Sequence, residues 1–365
     1  MHKLTFYPLG NADSCLIELE KGKMLLFDYA NLRDPENEAD PRIDLSTELH
    51  NTLEAAKRDY LDVVAFTHGD DDHIHGSTEF FHLEHADKYQ GDGRIKIREL
   101  WVPAAMILED GVEDECRILR TEARYRLKRG EGIRVFSRPD ALAEWLANNG
   151  TSLDARRHLI TNAGGMVPGF DKQNEGVEMF VHSPFSQHCD EQDIDRNTAS
   201  LVMQLTFDTE TKVLMTADTP YDVWQDIVKI TKAHKNDIRL AWDVYKLPHH
   251  CSYTTLAEDK GKTKTEPVEE VKWLLDQAQQ RATIVSTSDP IPNEDTVQPP
   301  HMQAHNCYKD YIAKVNGEFI VTMEHPSKDK PAKLVINIDR VGATAVKSSL
   351  GAAAIITSRP APRAG

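Results

Sequence analysis

Residues 63–76 read VVAFTHGDDDHIHG, and this stretch decides how the chain is expected to fold. Its first half is an apolar run rich in β-branched residues, which is typical of a buried strand. The strand is predicted to end at Thr67, and the residues after it include three histidines, three aspartates and two glycines. Imidazole nitrogens and carboxylate oxygens are ligands for divalent transition metals. The concentration of these ligand groups in one loop after a strand predicts a metal site.

The candidate ligands in this loop are His68, Asp70, Asp72 and His73. The two glycines let the backbone turn sharply enough for these side chains to converge. A solvated acidic turn that contains histidines by chance is the alternative. The H-x-D-x-D-H spacing directly after a strand favours the metal site.

Two later strands are predicted to end in residues of the same kind. A short apolar strand that starts at Lys212 reaches Asp218, and another that starts at Trp242 reaches the pair His249 and His250. Strand ends that carry ligand-type residues are expected to meet in one crevice at the edge of a sheet. A further strand stops at His182, which is a candidate additional ligand, as His188 is to a lesser extent. Each of these two is otherwise an ordinary strand-end or loop histidine.

The first loop resembles the H-x-H-x-D-H motif of the metallo-β-lactamase superfamily, with Asp70 in the place of the second histidine. The variant T-H-x-D-x-D-H resembles the C-terminal domain of the competence protein ComEC and its free-standing relatives. Further motifs follow in the order of that group: N-A-D-S at 11–14, N-x-x-S-L-V from Asn197, T-A-D at 216–218 and K-x-P-H-H-x-S at 246–252. A weaker match extends from residue 284 to His301. The resemblance spans about residues 4–325.

This resemblance implies an α/β fold, the metallo-β-lactamase αβ/βα four-layer sandwich. We expect one domain over residues 1–345, with a helical insertion at about 109–160 and a C-terminal tail at 346–365. Strands at 319–323 and 334–338 are expected to close the second sheet. The charged helices of the insertion are a candidate surface for a protein partner, and otherwise a solvated face.

The resemblance also implies two divalent metal ions, Mn or Zn. His68 and Asp70 would hold one ion, Asp72 and His73 the other, and Asp218 would bridge them. His250 is expected to complete the ligand set and His249 to protonate the leaving group, although the spacing leaves their roles interchangeable. Asp72 and His249 are the candidate catalytic residues. The residues expected behind the ligands or against the substrate are Asp13, Asp28, Asn197, Ser252 and His301.

Several aspartates among the ligands favour manganese or another hard ion over zinc. A hydroxide bridging two metals is nucleophilic at neutral pH because the ions lower the pKa of water. The resemblance therefore implies a phosphodiesterase or nuclease acting on a phosphodiester substrate such as DNA or RNA. The alternatives are a small-molecule metallo-hydrolase, such as a phosphocholine-type esterase, a cyclic-nucleotide phosphodiesterase or a lactonase, and a subunit of a larger assembly.

The composition bears on substrate and compartment. With 43 basic and 59 acidic residues the net charge is −16, which on average repels polyanions and favours the small-molecule alternative. No apolar stretch approaches the roughly 20 residues of a membrane helix, so no membrane contact is expected. Five scattered cysteines without a C-x-x-C pair favour free thiols in a reducing cytoplasm.

Overall fold

The computed structural model describes residues 1–190 and 193–346, and within these ranges its strands form two sheets. The strands are β1 His2–Phe6, β2 Cys15–Glu18, β3 Met24–Phe27, β4 Tyr60–Ala65, β5 Phe81–His82, β6 Ile95–Pro103, β7 Ile133–Phe136, β8 Ile160–Thr161, β9 Val177–Ser183, β10 Val202–Phe207, β11 Lys212–Met215, β12 Trp242–Lys246, β13 Ala278–Ser286, β14 Glu318–Val321, β15 Leu334–Asp339 and β16 Gly342–Ala345. The first sheet has the order β16-β15-β1-β2-β3-β4-β6-β7-β8, with β5 beside β6. The second has the order β14-β13-β12-β11-β10-β9.

Helices cover the outer face of each sheet. They are α1 Leu45–Ala55, α2 Asp71–Ile74, α3 Ser77–Phe80, α4 Ala104–Leu108, α5 Asp114–Arg129, α6 Asp140–Asn148, α7 Leu153–Arg156, α8 Ser186–Cys189, α9 Tyr221–Ala233, α10 Glu269–Leu275 and α11 Met302–Lys314. Short 3₁₀ turns lie at Asp87–Tyr89, Arg157–Leu159, Asp237–Leu240, His249–Cys251, Tyr253–Thr255 and Thr322–Glu324. None of the helices in the described part of the chain is both long and apolar enough to cross a membrane.

Three buried apolar clusters separate the layers. The central cluster lies between the sheets, where Val63 and Trp101 of the first sheet face side chains such as Met203 of the second. A second cluster packs α1 and α5 on the outer face of the first sheet, and a third packs α9, α10 and α11 on the second. Burial of apolar surface on both faces of both sheets gives the predicted αβ/βα four-layer sandwich, which is confirmed.

The strand β4 fits its position between two layers. It pairs in parallel with β3 and β6, and its last side chains alternate, with Val63 and Ala65 in the central cluster and Val64 in the outer cluster. A parallel strand buried on both faces needs a continuous apolar run rather than a strict alternation. This is why residues 63–66 are all apolar.

Two segments differ from the expectations. The segment 109–160 is only partly helical, because Ile133–Phe136 forms β7, which pairs in parallel with β6. A parallel neighbour requires a crossover, and α5 provides it, so part of this segment belongs to the first sheet. A partner surface on these helices stays a prediction. The strand β15 pairs antiparallel with β1 in the first sheet, so the expectation that it closes the second sheet is wrong. Of the predicted tail, residues 347–365 lie outside the described residues.

The topology brings several strand ends to one edge. β3 and β4 are parallel neighbours in the first sheet, and β11, β12 and β13 are parallel neighbours in the second. In such sheets, ligands bind in the crevice outside the carboxyl ends of the strands. The residues that follow these five strands are therefore the ones that can form a site.

Candidate metal centre

The loop after β4 carries four of the predicted ligands. His68 follows the strand directly and its side chain is buried. Asp70 is the N-cap residue of the short helix α2, in which Asp72 and His73 are consecutive. The backbone N–H of His73 donates to the carbonyl oxygen of Asp70 at 3.0 Å. The loop thus closes into one tight turn at the crevice.

Four side chains from three distant segments form one group. They are Asp72, His73, Asp218 and His250, and each offers a ligand atom within 4.8 Å of the others. Asp218 follows β11 and His250 follows β12, so three strand ends contribute. Both sheets supply residues, and the group forms only when the two sheets pack together.

The distances within this group match those in a metal site. The His250 Nε2 atom lies 2.9 Å from Asp72 Oδ2 and 3.9 Å from Asp218 Oδ2. The His73 Nε2 atom lies 3.2 Å from Asp218 Oδ1 and 4.0 Å from Asp72 Oδ2. Ligand atoms that are each about 2.1 Å from an ion in a tetrahedral site are about 3.4 Å from one another. Two nitrogens and two oxygens at this spacing fit one divalent cation.

Asp28 orients His73 within the group. The Nδ1–H of His73 donates to Asp28 Oδ2 at 2.8 Å, and the same carboxylate accepts hydrogen bonds from the backbone N–H and the hydroxyl of Thr67, both at 2.7 Å. A proton held on Nδ1 leaves the lone pair of Nε2 facing the group. The sequence predicted Asp28 behind a ligand, and in the structure it lies behind His73.

His250 is presented by a left-handed turn. The φ angles of His249, His250 and Cys251 are 47°, 49° and 65°, a region that residues other than glycine seldom occupy. The Nδ1–H of His250 donates to the carbonyl oxygen of Thr287 at 2.7 Å, so its Nε2 faces Asp72. None of these three residues is a glycine, the residue that adopts a positive φ angle most readily. Strained backbone of this kind is concentrated at functional sites.

The neighbouring imidazole of His249 has a different environment. Its side chain is 28% exposed, whereas that of His250 is 2% exposed. Its Nε2 atom lies 3.8 Å from Asp218 Oδ2, beyond hydrogen-bond distance. Burial lowers the pKa of His249, although Asp218 acts in the opposite direction. The two histidines that spacing alone could not distinguish thus differ in exposure, and only His250 is part of the four-residue group.

Asp13 connects the loop after β4 to the second sheet, but it does not belong to the four-residue group. Its carboxylate accepts hydrogen bonds from Lys246 Nζ and Thr287 Oγ1, and all three side chains are buried. The backbone N–H of Asp13 donates to the carbonyl oxygen of Asp72 at 2.9 Å. Asp13 therefore ties the loop after β4 to the ends of β12 and β13.

His68 and Asp70 lie beside the group. The His68 Nε2 atom is 3.4 Å from Asp70 Oδ2 and has no hydrogen-bond partner in the described part of the chain. The other oxygen of Asp70 accepts a hydrogen bond from Arg196 at 2.7 Å, and Arg196 also binds Glu109. Arg196 and Glu109 were not predicted from the sequence. Arg196 precedes the motif residue Asn197, but nothing local connects it with a loop more than a hundred residues away.

Four other predicted residues lie outside the group. The Nε2–H of His182 donates to the carbonyl oxygen of Arg239 at 2.8 Å, so the structure does not bring His182 to the ligands. Ser252 Oγ accepts a hydrogen bond from the N–H of Thr254, as the cap of a 3₁₀ turn. His301 Nδ1 accepts one from the N–H of Tyr253 at 3.3 Å. Asn197 accepts at its carbonyl oxygen from the Ser200 hydroxyl at 2.7 Å, so it shapes the loop before β10.

The centre has an excess of negative charge. Burial lowers the pKa of His73, but the surrounding carboxylates, Asp28 and Asp218 above all, outweigh it and raise that pKa well above its ordinary value. Burial raises the pKa of Asp218, but the imidazoles of His73 and His250 outweigh it and hold that pKa well below its ordinary range. Buried carboxylates need a compensating cation. The donor set and its charge both fit a divalent metal ion.

Comparisons with known proteins found similar solved structures at low identity. No protein-family model matches this chain, and no curated protein matches it. Among solved structures, a possible metal-dependent hydrolase from Veillonella parvula is 11% identical with a TM-score of 0.37, over 86% of this chain and 93% of that chain. A variant metallo-β-lactamase from Cronobacter sakazakii is 13% identical with a TM-score of 0.27, over 66% and 75%. A long form RNase Z from yeast is 11% identical with a TM-score of 0.35, over 91% of this chain and 41% of that chain.

The layer order, the strand order and the position of the site at the strand ends define the class. The chain has the αβ/βα sandwich of the metallo-β-lactamase fold. Likeness at these identities and TM-scores does not indicate a substrate. The narrower resemblance to the ComEC-like group stays a prediction from the sequence motifs.

Proposed function

We propose that this chain is a metal-dependent hydrolase that cleaves phosphodiester bonds. The observation that carries the proposal is the group Asp72, His73, Asp218 and His250, in which two nitrogens and two oxygens from three segments are within 4.8 Å of one another. Its members have no apparent role in the apolar core, and their concentration of buried charge is costly without a cation. A divalent ion at such a group, when bound, supplies Lewis acidity and lowers the pKa of water.

Each residue of the group has a defined part in holding the ion. Asp72 and Asp218 supply oxygen donors, and the two imidazoles supply Nε2 donors. Because Asp28 and Thr287 occupy the Nδ1 atoms, both rings are fixed in orientation before an ion binds. An equal number of oxygen and nitrogen donors accommodates manganese as well as zinc. The two-metal form of the proposal also needs an ion between His68 and Asp70.

His249 is the proposed proton donor to the leaving group. It is the most accessible imidazole of the centre, and its Nε2 atom forms no hydrogen bond with Asp218 at 3.8 Å. Burial lowers its pKa, so the free ring is mainly neutral at pH 7. An anionic phosphodiester beside the ring raises that pKa again and favours the protonated form that can act as a general acid. Binding of the substrate would thus favour the protonation of His249 that the reaction needs.

The sequence motifs and the net charge of the chain favour different classes of substrate. The motifs resemble those of a nuclease group, which favours DNA or RNA. The net charge of −16 opposes binding of a polyanion and favours a small phosphodiester or another small ester. The small-molecule hydrolase is therefore the second candidate.

The test is a substrate panel with controlled metal content. Chelator-treated protein is assayed with labelled single- and double-stranded DNA, RNA and a chromogenic phosphodiester, with and without added Mn²⁺ or Zn²⁺. We expect cleavage only with metal, and loss of both metal and cleavage in Asp218→Asn. Asp62→Asn, whose carboxylate binds Met24 N–H at the opposite end of the sheet, is the matched control. Cleavage of the chromogenic substrate alone supports the small-molecule candidate. If the metal-loaded protein cleaves neither the nucleic acids nor the chromogenic phosphodiester, the proposal is contradicted.

A further inference from the structure

The arrangement of His68, Asp70 and Arg196 bears on the number of metal ions. We infer that the centre holds one ion, not two, and that Asp70 binds Arg196 rather than a metal. This inference rests on the proposed function, in that it takes the four-residue group to be a metal site. It departs from the two-metal arrangement that the sequence motif implies.

Arg196 is fixed on Asp70 by several contacts. Its Nη1 atom donates to Asp70 Oδ1 at 2.7 Å and to the carbonyl oxygen of Gly69 at 3.1 Å. Its Nε atom donates to both carboxylate oxygens of Glu109, at 2.9 and 3.0 Å. A planar guanidinium held on two sides by carboxylates has little rotational freedom left. The loop after β4 is therefore held to the end of α4, and Asp70 already binds a cation that it shares with Glu109.

The donors for a second ion are too few. His68 Nε2 and Asp70 Oδ2 are 3.4 Å apart, a spacing that suits two ligands of one ion. Across residues 1–190 and 193–346, however, no third His, Cys, Asp or Glu donor joins this pair within the distance that unites the four-residue group. Protein-bound catalytic metals usually have at least three protein ligands. His182, the candidate for this place, binds the carbonyl oxygen of Arg239 instead.

The charge balance points the same way. In the four-residue group, Asp72 and Asp218 face imidazoles, whose protons an ion can displace. At Asp70 a permanent guanidinium charge already lies 2.7 Å from Oδ1, and Arg196 shares that charge with Glu109. A divalent ion on the same carboxylate would lie close to a fixed positive charge, which opposes its binding. Asp70 thus anchors the loop that presents Asp72 and His73.

Counting metal ions tests the inference. The full chain is freed of metal, dialysed against Mn²⁺ or Zn²⁺ and examined by elemental analysis, together with the electron paramagnetic resonance spectrum of the Mn²⁺ form. We expect about one ion per chain and the spectrum of an isolated Mn²⁺ ion. Asp70→Asn is expected to keep that ion, as is the control Asp71→Asn at a side chain that is 72% exposed. Asp218→Asn is expected to lose it.

The outcomes separate this inference from the proposed function. Two ions per chain with an exchange-coupled spectrum, and loss of one of them in Asp70→Asn, overturn the inference and leave the hydrolase proposal standing. A wild-type chain that binds no ion overturns both. Circular dichroism of each variant shows whether it is folded, so that a metal count is compared only between folded chains.

Discussion

The substitution Asp28→Asn tests how far the metal site depends on a residue that does not bind the metal. Asp28 accepts three hydrogen bonds through two oxygens: the Thr67 N–H on Oδ1, and the Thr67 hydroxyl and His73 Nδ1–H on Oδ2. An amide keeps one oxygen and replaces the other with an NH₂ group, which only donates. With its NH₂ group toward His73, the amide donates to Nδ1 and moves the ring proton to Nε2. The nitrogen that should bind the metal is then blocked.

The opposite orientation of the amide is also unfavourable. Its NH₂ group then faces the N–H of Thr67, and a buried donor without a partner costs about 1–3 kcal/mol. Loss of the partner that orients a ligand histidine typically lowers metal affinity by about 10–100-fold. At about 1.4 kcal/mol for each factor of ten, the expected loss of binding free energy is about 1.4–2.8 kcal/mol.

The assay is a competition between the protein and a chromogenic chelator for Mn²⁺ or Zn²⁺ at constant pH. Asp62→Asn is again the matched control, because Asp62 also accepts a backbone N–H, from Met24 at 2.9 Å, and is only 10% exposed. We expect Asp28→Asn alone to lose metal affinity, while both variants lose some thermal stability. Equal metal affinities of wild type and Asp28→Asn would refute the role given to Asp28.

Three further predictions follow from the centre. His249→Ala is expected to keep its metal and to lose about 10²–10⁴-fold in kcat, the usual contribution of a positioned proton donor. His250→Ala is expected to lose the metal, as measured by elemental analysis. Loss of metal from His249→Ala would contradict the roles given to the two histidines. Lys246→Met leaves the buried carboxylate of Asp13 without its cation, so it is expected to lower the free energy of unfolding by about 3–5 kcal/mol. A urea midpoint equal to that of the wild type would disprove this loss of stability. Burial lowers the pKa of His73 but its carboxylate neighbours raise it above 6.5, so the metal-free protein is expected to lose stability as the pH rises above 6.5. Urea midpoints on either side of that pH check this, and a midpoint that rises with pH over this range would contradict it.

The layered fold could be predicted because its signals are local. The apolar run before Thr67 indicates β4 from the pattern of its side chains alone. The start of α1 is local too, because the side chain of Asp44 accepts a hydrogen bond from the N–H of Thr47 at 3.2 Å. Which sheet a strand joins is not a local property. Leu334–Asp339 has the same pattern as any half-buried strand, and it pairs with β1 only because these two distant segments meet when the layers assemble.

The proximity of the candidate ligands was predictable to a similar extent. His73, Asp218 and His250 were identified because ligand-type residues followed three separate apolar runs. The sequence did not predict which cationic side chain pairs with each carboxylate. Asp13 is matched with Lys246 and Asp70 with Arg196 across long stretches of chain, and no spacing rule connects these pairs.

By itself, then, the sequence determined which residues stand at the ends of strands, because chain order and side-chain periodicity are enough to decide that. The tertiary structure alone decided that His250 and not His249 joins Asp72, and that a guanidinium occupies one side of Asp70. These contacts depend on the packing of two sheets against each other. That packing is set by the whole apolar core and not by any segment of the chain.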